Sequence, residues 1–158
     1  MVIGDQFPQN TRLEAVRRGI YPGSVLYLYC PFTHPPKDKF LLVACVEPIL
    51  NLFVINSEIP DFVQKRPHLK RCQVKMDVAS HPFLTHDSYI DCKDAIISIT
   101  REHAEEQIYN EMNRLKGNIK EPVKEKVIAA IKSCEKLKPQ NVTWILAAFE
   151  NLMLIKEL

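Results

Sequence analysis

The sequence predicts an α+β protein, in which a small antiparallel β-barrel or sandwich follows a short helix and gives way to further helices. Three observations carry this. Between 24 and 100, short runs rich in β-branched and aromatic residues alternate with Pro-containing turns, without helical periodicity between them. After Thr100 apolar residues recur at helical spacing instead. The chain of 158 residues is 46% hydrophobic and 25% charged, the composition of one globular domain rather than of a disordered, collagen-like or coiled-coil chain.

The first element is a helix over 10–23. Thr11 and Glu14 have the spacing of a capping box, Leu13 and Val16 share a face, and Gly19 offers a left-handed stop before the Pro22-Gly23 turn. Val25-Leu26-Tyr27-Leu28-Tyr29-Cys30 is a strand apolar on both faces, and 40–46 and 50–55 are similar runs linked by Glu47-Pro48. The stretch 73–79 alternates, with Val74, Met76 and Val78 inward and Lys75 and Asp77 outward. Ile90 and 95–99 supply more strand material, separated by Asp91, Lys93 and Asp94. The 31–39 loop, with Pro35-Pro36, is stiff and exposed. Ala104, Ile108, Met112 and Leu115 then mark a helix ending at Gly117. A second helix starts at Pro122, a good first-turn residue, with Val123, Val127, Ala130, Ile131 and Cys134 on one face. Lys138-Pro139 breaks it, and Asn141 caps a third carrying Trp144, Ile145, Ala148, Phe149, Leu152 and Ile155.

Composition narrows the functional classes. A formal net charge of +2 makes any nucleic-acid or membrane role depend on a local patch. Cys30, Cys45, Cys72, Cys92 and Cys134 are odd in number and without a close pair, which speaks against a disulfide framework and a zinc site and for reduced thiols in the cytoplasm. The stretch Met1-Val2-Ile3-Gly4-Asp5-Gln6 lacks the pattern of a signal peptide, and the apolar runs are too short to span a membrane. The expectation is a cytoplasmic protein without membrane contact, metal or cofactor.

One charge cluster stands out. Lys65, Arg66, Lys70, Arg71 and Lys75, with His68 among them, fall between two expected strands and are opposed by Asp61 and Asp77 alone. A mobile basic loop at a barrel rim neutralises phosphates; a solvated loop is the plainer alternative. Phe32, Phe40, Phe62 and Tyr89 lie in or near loops, placed to stack bases or to anchor the loops. His86-Asp87-Ser88 spells a triad in letters, but neighbours in an extended chain point to opposite faces, so it is not one locally. His81 and His86 are better read as turn histidines bonded to backbone than as metal ligands. No P-loop, G-x-G-x-x-G or G-x-S-x-G motif is present, and four glycines leave little material for phosphate-cradling loops.

Pro22-Gly23-Ser24-Val25-Leu26-Tyr27-Leu28 followed by Pro31-Phe32-Thr33 resembles the opening of the PemK/MazF-like toxins, where a hydrophobic strand runs into a Pro-Phe-Thr/Ser loop. Lys39-Phe40-Leu41-Leu42-Val43, Phe53-Val54-Ile55-Asn56-Ser57 and the alternating 74–79 stretch are similar to the strands that follow there, and Ser88-Tyr89-Ile90-Asp91-Cys92 onward to the next. The likeness covers 22–115. Some members place an arginine and an aspartate where Asp91 and Lys93 stand here.

The resemblance implies a small SH3-like β-barrel over 24–116, with 1–23 as an N-terminal helix and turn and 117–158 as a C-terminal helical extension. It implies a homodimer with metal-independent endoribonuclease activity on single-stranded RNA, partnered by an antitoxin protein. In that chemistry the ribose 2′-OH attacks the adjacent phosphate, which requires a base, an acid and a cation for the developing charge. By position Lys39 matches the family's catalytic arginine and Ser57 its Thr/Ser, with His34 or a group near it moving protons. Lys65, Arg66, Lys70, Arg71, Lys75 and Phe32 are then the RNA-binding residues. The competing reading is a catalytically inactive barrel that binds a protein or nucleic acid through the basic loop and the helical tail.

Overall fold

The structure, a computed structural model, describes residues 9–157, with side chains from 10 to 151. Met1 to Gln6, and the side chains of Leu152 and Ile155, lie outside the described residues. The chain is α+β, with one six-stranded antiparallel sheet curled into a half-barrel. Its strands are β1 (Ser24–Cys30), β2 (Lys37–Cys45), β3 (Asn51–Asn56), β4 (Gln73–Met76), β5 (Ser88–Ile96) and β6 (Leu115–Asn118), in the spatial order β4-β5-β3-β2-β1-β6. The helices are α1 (Gln9–Gly19), α2 (Asp61–Gln64), α3 (Pro67–Lys70), α4 (Arg101–Asn110), α5 (Glu121–Ser133) and α6 (Pro139–Glu157). Register shifts at Val25/Leu26, Val43/Cys45 and Leu52/Val54 interrupt three of the ladders. Each inserts a local bend, and together they curl the sheet.

The central strands are apolar on both faces because both faces are covered. One face (Val25, Leu42, Phe53, Ile55, Val74, Met76, Ile90) packs against Val123, Val127 and Ile131 of α5 and Ile145 and Phe149 of α6. The other (Leu26, Leu28, Leu41, Val43, Leu52) packs against Val16 of α1 and Ala104 and Ile108 of α4. The half-barrel sheet is thus covered by helices on both faces, and Ile119, Val123, Val127, Ile131, Ile145 and Phe149 contribute to its core. Arg12 joins the two helices of the second face, its guanidinium donating to the Tyr109 carbonyl and lying 4.7 Å from the centre of the Tyr109 ring.

Several local expectations change. The helix before β1 already includes Thr11 and Glu14, so no capping box forms; Glu14 pairs with Arg18 at 3.6 Å instead. Gly19 is not left-handed but admits the Leu115 side chain, which would meet an added Cβ at 2.7 Å. The positive φ occurs at Gly23 (99°), whose N–H and C=O bond Val43 O and Ile119 N–H. The strand material of Ile90 and 95–99 belongs to one strand, β5, which runs from Ser88 through the intervening Asp91, Lys93 and Asp94 and ends at Ile96. The helix after Thr100 stops at Asn110, and a 3-10 turn over Met112–Arg114 leads into β6 beside β1. Thr100 caps α4 by accepting the His103 N–H at 3.1 Å. Pro122 stands in the first turn of α5, whereas α6 begins at Pro139, ahead of the expected Asn141 cap.

The largest correction concerns the cysteines. Cys72, just before β4, and Cys134, just after α5, form a disulfide across 62 residues with Cα atoms 5.4 Å apart. Their distance in sequence hid the pair; the fold lays α5 over β4 and brings them together. Cys30, Cys45 and Cys92 are free and buried.

Candidate nucleic-acid interface and adjoining cleft

The basic segment carries two short helices where the sequence suggests an open loop. Val63, Leu69 and Cys72 are buried and peg α2 and α3 to the body. Pro67 occupies the first turn of α3, and the extended Arg66 before it separates the two short helices. With the apolar residues turned inward, Lys65, Arg66, His68, Lys70 and Arg71 are all exposed. Arg66 donates to Phe62 O at 2.7 Å and Arg71 to Pro67 O at 3.3 Å, bonds that position the guanidinium groups without neutralising them. Among the described residues none of Lys65, Arg66, Lys70 and Arg71 has a carboxylate partner. Lys75, on the edge strand β4, meets Asp87 at 3.6 Å. Phe62 stands beside Arg66 and is 52% exposed, an aromatic face next to unpaired cations. Phe32 instead packs against the α1/α4 side of the sheet and anchors the β1–β2 hairpin.

At one end of the sheet lies a cleft of about 210 Å³, lined by residues that include Lys37, Lys39, Phe40, Ser57, His86 and Ser88. It takes in both Lys39 and Ser57, but His34, exposed in the β1–β2 loop, is not among its lining residues. Strand alternation separates the two further. Phe40 and Ile55 pack with the α5/α6 face, so Lys39 and Asn56, one residue along each strand, point to the other face. The Lys39 ammonium donates to Asn56 Oδ1 at 2.7 Å there. Burial lowers its pKa, reinforced by the like charge of Lys37 and opposed by Cys30 and Asp91. Burial also pushes the Cys30 thiol up to about 11.

Because the unfolded chain binds the Lys39 proton more tightly than the folded one, stability rises with pH between the lowered folded value and the ordinary 10.5. Lys39→Met is expected to raise Tm at pH 7 by about 1–3 °C and to flatten that rise. Thermal melts from pH 7 to 10.5 check this, and a lower Tm at pH 7 would show that the bond to Asn56 outweighs the burial.

His86 is bonded to backbone as expected of a turn histidine, and it also lines the cleft, which its sequence context does not reveal. Its Nδ1 lies 3.0 Å from its neighbour's carbonyl, Asp87 O, and 3.5 Å from Ser88 Oγ. With Nδ1–H donated to the carbonyl, Nε2 carries the lone pair and is the atom able to take a proton. The Asp87 carboxylate is engaged elsewhere, accepting the Val78 N–H at 2.9 Å, so the three adjacent residues form no triad. His81 is the turn histidine expected: fully buried, with Nδ1 2.9 Å from Asp77 O and Nε2 accepting the Lys120 N–H at 3.3 Å, it ties the β4–β5 turn to the start of α5. The side chains of Asp91 and Lys93 bond at 2.7 Å, and Gln73 Nε2 donates to Asp91 at 2.9 Å. Burial alone would lower the Lys93 pKa, but its bonds to Asp91 and Asp94 outweigh that and raise it. Among the described residues no group of three or more His, Cys, Asp or Glu is placed to hold a metal ion.

Comparison with known proteins returns no match: no family model, no curated protein and no solved structure matches the chain. Among the described residues no helix is long and apolar enough to cross a membrane.

Proposed function

We propose that this protein binds single-stranded RNA through the cationic face of α2, α3 and the start of β4. The observation that carries this is the set of Lys65, Arg66, Lys70 and Arg71, exposed on or beside α2 and α3 and without a carboxylate partner among the described residues. Leaving four cations unpaired in a chain of net charge +2 concentrates positive potential on one side, which favours a polyanion. Phe62 adds a surface on which a base can stack. Anisotropy titration of a labelled RNA at several salt concentrations tests the reading: binding without salt dependence, or no binding, would remove it.

A second reading, RNA cleavage in the cleft, is favoured by His86 standing with Ser57 and Lys37 around one hollow. In it His86 Nε2 takes the 2′-OH proton and Ser57 Oγ hydrogen-bonds a phosphate oxygen. The cation that offsets the developing charge comes from Lys37 or Lys39, which share one face of β2 opposite Cys30 and Leu28. Lys39, turned toward Asn56, has to swing to contribute. This is the reading that the PemK/MazF-like SH3-like barrel would carry, and the antiparallel β1-β2-β3 order supports it. Incubation with a long RNA in EDTA is expected to give fragments ending in cyclic phosphate, with His86→Ala slowing their appearance by about 10²–10⁴-fold. Intact RNA with the wild-type protein would leave binding alone. A cytoplasmic location belongs to the same reading, and the Cys72–Cys134 bond counts against it, since disulfides persist in oxidising compartments.

A further inference from the structure

We propose that the outer edge of β4 and the facing side of α5 form a phosphate-binding groove whose width is set by the Cys72–Cys134 disulfide, so that redox state governs how tightly RNA is held. This rests on the RNA-binding reading above and extends it to α5, an element outside the region that suggested it.

The groove has a volume of about 280 Å³, with Arg71, Val74 and the edge of β4 at Gln73 and Lys75 on one wall and Lys126, Ala129 and Ser133 on the other. Val74 faces α5, so Gln73 and Lys75 border the groove along the strand edge. The α5 residues are spaced three and four apart and so line one stripe of the helix. Arg71 and Lys126 have no carboxylate partner among the described residues. The Lys75–Asp87 contact at 3.6 Å joins side chains 58% and 46% exposed, a pairing weak enough for a phosphate to displace. The strand adds donors of its own. The Cys92 N–H bonds Cys72 O at 2.9 Å, and Gln73 lies opposite Asp91 in the ladder. In that antiparallel pattern the peptide groups of Gln73 and Lys75 turn away from β5, toward the open edge. A peptide added to this edge would need pockets for alternate side chains, whereas the walls here are small or cationic. Charge complementarity thus selects a phosphate backbone.

The disulfide joins the two walls at their seam, since Cys72 sits between Arg71 and Gln73 and Cys134 follows Ser133. Reduction by a small dithiol breaks the Sγ–Sγ bond, leaves two thiols and converts the dithiol to its own disulfide, with two electrons and two protons transferred. The last turn of α5 is then free to draw away from β4, taking Ser133 from Arg71 and widening the groove under a phosphate that Arg71 and Lys126 share, while Val127 and Ile131 keep the rest of the helix on the sheet.

Labelled oligouridylate titrated into the full chain, oxidised or in dithiothreitol, tests this. Reduction is expected to weaken binding about threefold to tenfold, and Lys126→Glu to weaken the oxidised protein comparably while abolishing the redox difference. Cys134→Ser is expected to bind as the reduced protein does under both conditions. Its circular dichroism is read alongside, and reduced wild-type protein gives the same comparison if that variant fails to fold. Equal affinity in both redox states with a neutral Lys126→Glu would overturn the groove, and if Arg71→Glu still weakened binding the broader RNA reading would survive. Absence of binding in either state would overturn both. Competition by polyglutamate as effective as that by RNA would also overturn the proposal, marking a surface for acidic chains in general.

Discussion

Phe149→Ala is expected to lower the unfolding free energy by about 3–5 kcal/mol, a large share of the about 5–15 kcal/mol typical of a domain. Phe149 is fully buried in the cluster that α5 and α6 build on the sheet, next to Ile145 and the β-strand residues Leu42 and Phe53. Truncating it removes an aromatic side chain from a layer that has no other cover, and the surrounding sheet can collapse into the space only in part. The chain's single tryptophan, Trp144, lies on the same helix and packs against the same cluster, so its fluorescence follows α6 while far-UV circular dichroism follows the whole fold. In urea both probes are expected to report one transition, shifted to lower midpoint in the variant. An earlier, separate fluorescence transition in the wild-type protein would mean that α6 is an independent appendage.

The second large effect concerns binding. Lys65→Glu, Lys70→Glu and Arg71→Glu combined are expected to weaken single-stranded RNA binding by at least about 30-fold near 100 mM salt. If each cation releases one condensed counterion, the slope of log K against log salt falls in magnitude by about 2, at about 0.7 per contact on a single strand. All three side chains are exposed, so each replacement is expected to change stability by no more than about 0.5 kcal/mol, checked by urea unfolding. A lost affinity with an unchanged salt slope would point to altered structure rather than removed phosphate contacts.

Much of the architecture was legible wherever local chemistry and tertiary packing agree. The strands over 24–56 carry continuous apolar runs, and the stretch Val25 to Cys30, apolar on both faces, already signalled a sheet covered twice. What it did not disclose was the cover: α1 and α4 on one side, α5 and α6 on the other, are long-range partners that no local pattern names. The sixth strand escaped because Leu115 continues the helical spacing of Ala104, Ile108 and Met112, yet the chain leaves the helix at Asn110 and Leu115 pairs with Leu26. Periodicity alone does not register such a competing ladder.

The site was legible in part. The cations of 65–75 are evident as charge, but two single-turn helices with one buried residue each, Val63 and Leu69, are too short to show a periodicity in the sequence. Lys39 and Ser57 do reach one hollow, as the order of strands suggested, while the odd–even rule of the strand turns the lysine toward Asn56. His86 is legible as a backbone-bonded turn histidine two residues before β5, but its place on the cleft depends on long-range packing that no local pattern names. The Cys72–Cys134 bond had no sequence signature at all.

Both margins of the sheet are poor templates for growth. β4 and β6 each span four residues, β6 meets β1 across a bulge, and Gly117 at φ 151° lacks a side chain for a neighbouring strand to grip. Fibril-like accretion, strand upon strand, is thereby discouraged, and Lys75 on β4 and Lys116 on β6 add a charge to each rim.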